Sequence, residues 1–454
     1  MPVLDSIRNV HFVGIGGIGM SALALLLKQQ GKNVSGSDQN DSVLLNSLRS
    51  ADIEIHIGHK AEFARDADLV VYSSAVKSDN PERAYAEKNA IPEIRRAELL
   101  GQIASVYKNT IAIAGTHGKT TTTGMCGQIL VQADLDPSVL VGGILPNFNS
   151  NLRLGVQNHI VLEADEYDRS FLALQPNGII ITTLEADHLD IYDGIQDLRD
   201  TFFKFISKLG QDDILVIQGD DQELKNLADR STVPVIRYGF SKGLDFQATR
   251  LEMDSFTSQF KVLKHGVLLG EIKLSMPGNH NVMNALGAFA LCESMGIDFE
   301  SIKRGLESFR GVERRFQKRA FTNGVLFIDD YAHHPSELSA TLEAARQGWP
   351  NSRLIAVFQP HLYSRTRDFA LEFSEALELA DIAIVTDIYP ARELPIAGVS
   401  SQLIVNGAEN ILLKPTLDDV YAYLKPILIS GDMVITLGAG DVWKLHELFI
   451  GETV

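Results

Sequence analysis

Lys119 and the residues around it carry the strongest chemical signal in this chain. The segment 111–123 reads IAIAGTHGKTTTT, an apolar run ending in Gly115-Thr116-His117-Gly118-Lys119-Thr120-Thr121. An apolar strand that stops at glycines and turns into a helix can surround anionic oxygens with backbone N–H groups and a helix N-terminus. Lys119 is then placed for the β- and γ-phosphates of a nucleoside triphosphate, and the Thr120 hydroxyl for Mg2+. The spacing departs from the strict phosphate-loop pattern, because the position of its first glycine is taken by Ile113.

Two acidic clusters follow apolar runs downstream. Glu163-Ala164-Asp165-Glu166-Tyr167-Asp168 follows HIVL, and Asp187-His188-Leu189-Asp190 follows GIIITTLEA. Open α/β sheets present ligand-binding residues at strand ends, so Glu163 and His188 are candidate metal ligands beside the phosphate loop. A second glycine signature lies in HFVGIGGIGMSALA, with Gly14, Gly16, Gly17 and Gly19. Asp38 follows about twenty residues later, where a dinucleotide fingerprint places a ribose-binding carboxylate. By itself this turn suits NAD, yet its physics asks only for a diphosphate on a helix N-terminus, which a UDP-linked molecule also carries.

The elements that position these residues alternate strand, turn and helix, which predicts parallel sheets covered by helices on both faces. The first block has strands at 10–13, 34–36 and 69–72, with Ser73-Ser74 at a strand end and IPEIRRAELL reading as a strand leading into a helix. The second has strands at 160–163, 178–182 and 214–217, and a polar alternating stretch at 246–274 that predicts an antiparallel edge. The third has strands at 325–328, 353–358, 382–386 and 433–437 and resembles another doubly wound sheet. At 454 residues, 45% hydrophobic and 22% charged, the chain suits a soluble protein of about three domains. No export signal and no membrane span are expected, and a cytoplasmic location follows. The formal net charge of −17 argues against nucleic-acid partners and requires locally positive nucleotide sites. Cys126 and Cys292 read as small core residues in helical segments, with no disulfide or zinc site implied.

GTHGKTTTT, EADEYD, DHLD, GNHNVMNA, GVERRFQ, DDYAHHPSE and FQPHLYSRT occur in this order, and in that combination the chain resembles the Mur ligases over nearly its whole length. The resemblance implies an α/β fold of three domains: a Rossmann-like UDP-sugar domain at 1–108, a central P-loop ATPase at 109–311 and a Rossmann-like amino-acid domain at 312–454. It favours the alanine-adding branch, in which ATP activates the lactyl carboxylate of UDP-N-acetylmuramate as an acyl phosphate that L-alanine then attacks. It implies a UDP-sugar site at Gly14, Gly16, Gly17 and Gly19, with Asp38, His59, Ser73, Ser74 and Arg96 as neighbours. ATP would meet Gly115 to Thr121, Asn281, Arg315 and Asp330, the last two reaching it from the third domain on closure. Asn281 equally suits a helix cap.

Two Mg2+ ions are implied, one at Thr120 and one at Glu163 and His188, with Lys119, Glu163 and His188 as the catalytic set. Tyr331, His333, His361 and Arg365 resemble the alanine pocket, Arg365 being suited to an α-carboxylate. The His333-His334 pair alone also reads as a solvated helix start before Pro335. Several Mur ligases carry a carbamylated lysine about fifteen residues after the DHxD histidine. Here that position is Phe203, and Lys204 points about 100° away on a helix, so none is expected. No NAD is expected either. The remaining alternatives are a ligase that recycles L-Ala-γ-D-Glu-diaminopimelate onto the same sugar and a nicotinamide-dependent oxidoreductase, and the protein is expected to be a monomer or homodimer.

Overall fold

The computed structural model describes residues 4–156, 158–185, 191–391, 393–406, 408 and 410–451. They divide into two compact units, one of residues 1–249, 261–270 and 283–309, the other of 250–260, 271–282 and 310–454.

The first unit holds two sheets. In the N-terminal one, β1 (Asn9–Val13), β2 (Asn33–Asp38), β3 (Glu54–Ile57), β4 (Leu69–Tyr72) and β5 (Glu93–Arg95) run in the order β3-β2-β1-β4-β5. All pairs are parallel. Val10, Phe12, Leu69 and Val71 are buried with Leu23, Leu26 and Leu27 of the Ile18–Gln29 helix, as expected of parallel strands covered on both faces. The predicted strand-to-helix passage at IPEIRRAELL is β5 followed by the Arg96–Ala104 helix.

The second sheet contains β6 (Asn109–Ala114), β7 (Ser138–Leu145), β8 (Ser150–Arg153), β9 (His159–Glu163), β10 (Gly178–Ile181), β11 (Ile214–Gln218) and β12 (Val235–Gly239), in the order β12-β11-β10-β6-β9-β7-β8. Its parallel core has β6 between β9 and β10, so the strand order reverses at β6. A crevice opens at the carboxyl ends of strands at such a switch point. The alternating stretch forms β13 (Phe246–Asp254), β14 (Thr257–Lys264) and β15 (Val267–Leu274), adjacent at the end of this sheet. Two-residue loops join them, which makes them antiparallel, and β13 pairs parallel with β12. The division between the two units passes through these strands. Cys126 and Cys292, distant in sequence, are both free and buried, and burial pushes the Cys292 thiol up, with neighbouring Cys126 adding to the rise.

In the second unit β16 (Gln317–Thr322), β17 (Val325–Asp330), β18 (Leu354–Phe358), β19 (Ile382–Val385), β20 (Ile411–Leu413) and β21 (Met433–Leu437) take the order β16-β17-β21-β18-β19-β20. The sheet is mixed: β16 lies antiparallel to β17 and the other pairs are parallel. Asn323 (φ 52°) and Gly324 (φ 76°) make the two-residue turn between them, the conformation that Asn-Gly hairpins favour. The core packs Ile328, Ala356, Phe358 and Ile435 against Leu338 and Leu342 of the Pro335–Gly348 helix.

Candidate active site

The first glycine turn joins β1 to the Ile18–Gln29 helix. Gly14 (φ 82°) and Ile15 both donate their N–H to Ser37 O at 2.9 Å, and Gly16 N–H donates to Asp38 Oδ2 at 2.8 Å. A Cβ at Gly16 would lie 2.8 Å from Asp38 Oδ2, one at Gly19 2.9 Å from Arg96 Nη1, and one at Gly14 3.4 Å from Ser73 Oγ. Asp38, Ser73 and Arg96 therefore converge on the turn. Asp38 also holds the turn's own backbone. Gly17 is the helix N-cap and has no side-chain partner there.

His59 faces inward: its Nδ1 lies 3.0 Å from Ser37 Oγ and 2.9 Å from Glu82 Oε1. Glu82 is fully buried and also meets His11 Nε2 at 2.6 Å. Ser74 and Arg96 line a cavity of about 160 Å3 with Arg95, Asp168 and Arg169. Asp168 and Arg169 both have left-handed backbones (φ 54° and 55°), a conformation that costs non-glycine residues energy and clusters at functional sites.

The phosphate loop sits at the switch point, after β6. Gly115 (φ 128°) passes so close to β10's end that a Cβ would lie 2.9 Å from the amides of Thr182 and Thr183. Thr183 braces the loop: its Oγ1 accepts His117 N–H at 3.0 Å and lies 2.9 Å from Thr116 Oγ1. His117 Nε2 is 3.6 Å from Glu185. Gly118 (φ 83°) is the N-cap of the Lys119–Gln132 helix, and a Cβ there would strike Asn284 Oδ1. Thr121 is buried in that helix's first turn.

Lys119 Nζ lies among the carbonyls of Gly115 and Thr116 and the carboxylate of Glu166. Burial opposes its charge, but Glu166, Asp165 and Glu163 outweigh it and hold the ammonium above the usual lysine range. Glu163, at the end of β9, accepts from Thr120 Oγ1 and from Gly142 N–H, both at 2.8 Å. Burial pushes its carboxyl up, against the pull of Lys119.

Thr120 and Glu163 fit a magnesium site. Neighbouring oxygens on an octahedral Mg2+ with ligands at about 2.1 Å stand about 3 Å apart, close to the separation of these two. A hydroxyl and a carboxylate are hard oxygen donors of the kind this ion prefers. His188, Asp187 and Asp190 lie outside the described residues. Phe203 stacks under Arg230 at 4.1 Å, and Lys204 beside it is exposed.

In the second unit the ends of β17 and β18 bring the remaining candidates together. The Tyr331, His333 and His361 rings follow one another at 5.4 and 5.9 Å, and Tyr389 stacks on His361 at 5.9 Å. Arg365 is 8% exposed, in the Tyr363–Asp368 helix. His333 Nδ1 lies 2.9 Å from Tyr331 O and 3.2 Å from Glu337 Oε2. Both are acceptors, so Nδ1 carries the proton and Nε2 is the acceptor. Burial pulls His333 down to about 4 against Glu337, with Arg365 adding to the fall. Its ring is therefore neutral near pH 7.

Arg315 Nη1 meets Glu337 Oε1 at 3.3 Å. Asp330 accepts the amides of Phe316 and Ala332, both at 2.8 Å, tying the GVERRF turn to the DDYAHHP turn. Burial pushes Asp330 up to about 6 despite Arg315 and those amides. Asn281 Nδ2 donates to Pro277 O at 2.7 Å, so it bonds back to the preceding turn instead of accepting a helix amide as an N-cap does. Thr183, Glu166, Asn284, Glu337 and Tyr389 were not singled out as site residues from sequence. Asn284 had a signal, being the last asparagine of GNHNVMNA.

Three family descriptions match the chain: "Mur ligase family, catalytic domain" over residues 9–108, "Mur ligase middle domain" over 113–292 and "Mur ligase, glutamate ligase domain" over 314–440. The UDP-N-acetylmuramate–L-alanine ligase of Geobacter sp. (strain M21) is 44% identical over 449 residues, covering 98% of this chain and 97% of that protein. The enzyme of the same name from Salinibacter ruber is 42% identical over 99% of this chain and 96% of its own length. Among solved structures, the UDP-N-acetylmuramate-alanine ligase of Thermotoga maritima matches with a TM-score of 0.84 at 30% identity, over 98% of this chain and 99% of that one. A murein peptide ligase from Psychrobacter arcticus shares the fold, with a TM-score of 0.74 at 24% identity over 98% of both chains. With the phosphate loop, the second glycine turn and the β17–β18 cluster in place, the chain belongs to the Mur ligase family.

Proposed function

We propose that this protein ligates L-alanine to the lactyl carboxylate of UDP-N-acetylmuramate, consuming ATP, in peptidoglycan precursor synthesis. The observation that carries the reading is the meeting of Lys119, Thr120 and Glu163 at the switch point of a chain more than 40% identical to alanine-adding ligases over nearly its full length. Residues 1–108 are assigned to the UDP-sugar, 109–311 to ATP and 312–454 to the amino acid.

A carboxylate and an amine do not condense in water near pH 7, so activation comes first. A sugar carboxylate oxygen forms a bond to the γ-phosphorus, the bond from that phosphorus to the β-phosphate oxygen breaks, and ADP leaves. The amine nitrogen then adds to the acyl carbon, and the tetrahedral species expels inorganic phosphate and loses a proton. Two anions must approach in the first step, and the Lys119 ammonium neutralises part of their charge. Mg2+ held by Thr120 and Glu163 supplies further positive charge when bound. A second ion at Glu163 and His188 is part of the proposal and rests on the sequence motif.

The glycine turn with Asp38, Ser73, Ser74 and Arg96 is assigned to the UDP-sugar, and the cluster of Tyr331, His333, His361 and Arg365 to the amino acid. There the Arg365 fork suits the α-carboxylate, and neutral His333 adds an acceptor without a second cation. The test is phosphate release from ATP in the presence of UDP-N-acetylmuramate with each amino acid in turn. L-alanine should be the preferred acceptor, with serine and glycine poor. Efficient use of L-Ala-γ-D-Glu-diaminopimelate instead would assign the chain to peptide recycling.

A further inference from the structure

Lys119 Nζ has three protons, and groups of the protein take all of them. Gly115 O lies at 2.6 Å, Thr116 O at 3.1 Å, and the two Glu166 oxygens at 2.9 and 2.8 Å. The Glu166 carboxylate is fully buried, and its backbone is fixed from behind by the Tyr192 hydroxyl, which donates to Glu166 O at 2.6 Å. Burial leaves the pair little competition from water, so an incoming phosphate must displace or share a partner that already neutralises the lysine.

We propose that Glu166 is a positioning residue of the nucleotide site, holding Lys119 in the nucleotide-free loop and competing with the β- and γ-phosphates for the same ammonium. This rests on the reading that the loop binds ATP, and it adds a partner exchange to that event. Nucleotide binding breaks the Lys119–Glu166 pair and leaves the carboxylate facing the phosphates, so part of the affinity is spent on the exchange.

The test is calorimetric titration of ADP in EDTA, where metal coordination does not contribute. Glu166→Gln preserves shape and one acceptor for Nζ while removing the competing charge. It should bind ADP at least about tenfold more tightly than the unmodified protein, the cost of separating a buried pair being larger than that. Glu166→Asp, which keeps the charge, should stay near the original affinity. In a Lys119→Gln background the Glu166→Gln gain should be clearly smaller, since only the repulsion between carboxylate and phosphates is then relieved. A folded Glu166→Gln protein with equal or weaker ADP affinity would overturn the proposal, as would an equal gain in both backgrounds, which would indicate simple repulsion. A purely structural role for Glu166 predicts weakened binding and a lower melting temperature. If the unmodified protein bound neither ADP nor ATP, the nucleotide reading itself would fail, and the two failures are thereby distinguishable.

Discussion

Replacing Glu163 by Gln separates the chemistry of the site from its architecture. The carboxylate is half-buried and accepts two hydrogen bonds, from Thr120 Oγ1 and Gly142 N–H. Both donate to Oε2, so a glutamine with its carbonyl oxygen in that position keeps both bonds and places its amide nitrogen at the other oxygen. Burial raises the carboxyl of Glu163 in the fold, so its charge is a net cost to folding near pH 7, and neutralising it removes that cost. The expected change in stability is between zero and a gain of about 1 kcal/mol. Turnover should move the other way. Losing one charged ligand of the ion that stabilises the transferring phosphoryl group should lower kcat by about a hundredfold or more, about 2.7 kcal/mol or more on the barrier. The Mg2+ concentration for half-maximal rate should rise as well. Thermal melts and phosphate release across a magnesium titration measure both sides. Near-normal rates at low Mg2+, or a rate loss accompanied by a matching loss of stability, would refute the assignment.

Lys119→Ala should abolish ligation while leaving UDP-sugar affinity largely intact, because the two glycine turns open separate βα units; calorimetry with each ligand checks this. Arg365→Ala should raise the apparent KM for alanine far more than that for ATP, since a buried guanidinium is assigned to the α-carboxylate; equal effects on both would count against the pocket. Asp330, raised to about 6 by burial, binds its proton more tightly folded than unfolded, so its contribution to stability falls as pH rises from about 4 to about 6, by up to about 3 kcal/mol. Asp330→Asn should flatten that slope in pH-dependent denaturant unfolding, whatever its absolute stability, and an unchanged slope would contradict the raised carboxyl.

The strands that carry the chemistry were legible because each is an apolar run ended by glycine or polar residues: β1, β4, β6, β9 and β17 lie where periodicity places them. The mixed character of the third sheet was not read, although Asn323-Gly324 between apolar segments is a strong hairpin signal. A local turn signal there was overridden by the expectation of repeated βα units. Glu54–Ile57 escaped notice because its side chains are only partly buried, so it lacks the apolar run of a central strand. Within the site, motif order indicated Lys119, Thr120 and Glu163, but not Thr183 or Glu166. Those two act through contacts made by distant segments, Thr183 on the loop's backbone and Glu166 on Lys119 itself, and no sequence spacing encodes such a contact. His59, placed beside the UDP-sugar by the resemblance, also holds buried Glu82 through its Nδ1, a contact that no sequence spacing announces.

The central claim, activation of the sugar carboxylate by ATP before amide formation, is tested most directly by isotope transfer. UDP-N-acetylmuramate labelled with 18O in both lactyl carboxylate oxygens is incubated with the protein, ATP, Mg2+ and L-alanine, and the released phosphate and the sugar product are analysed by mass spectrometry. Attack of the carboxylate on the γ-phosphorus, followed by displacement by the amine, predicts that each phosphate released carries one 18O and that the amide carbonyl retains the other. Phosphate free of label beside a normal yield of amide would contradict the account.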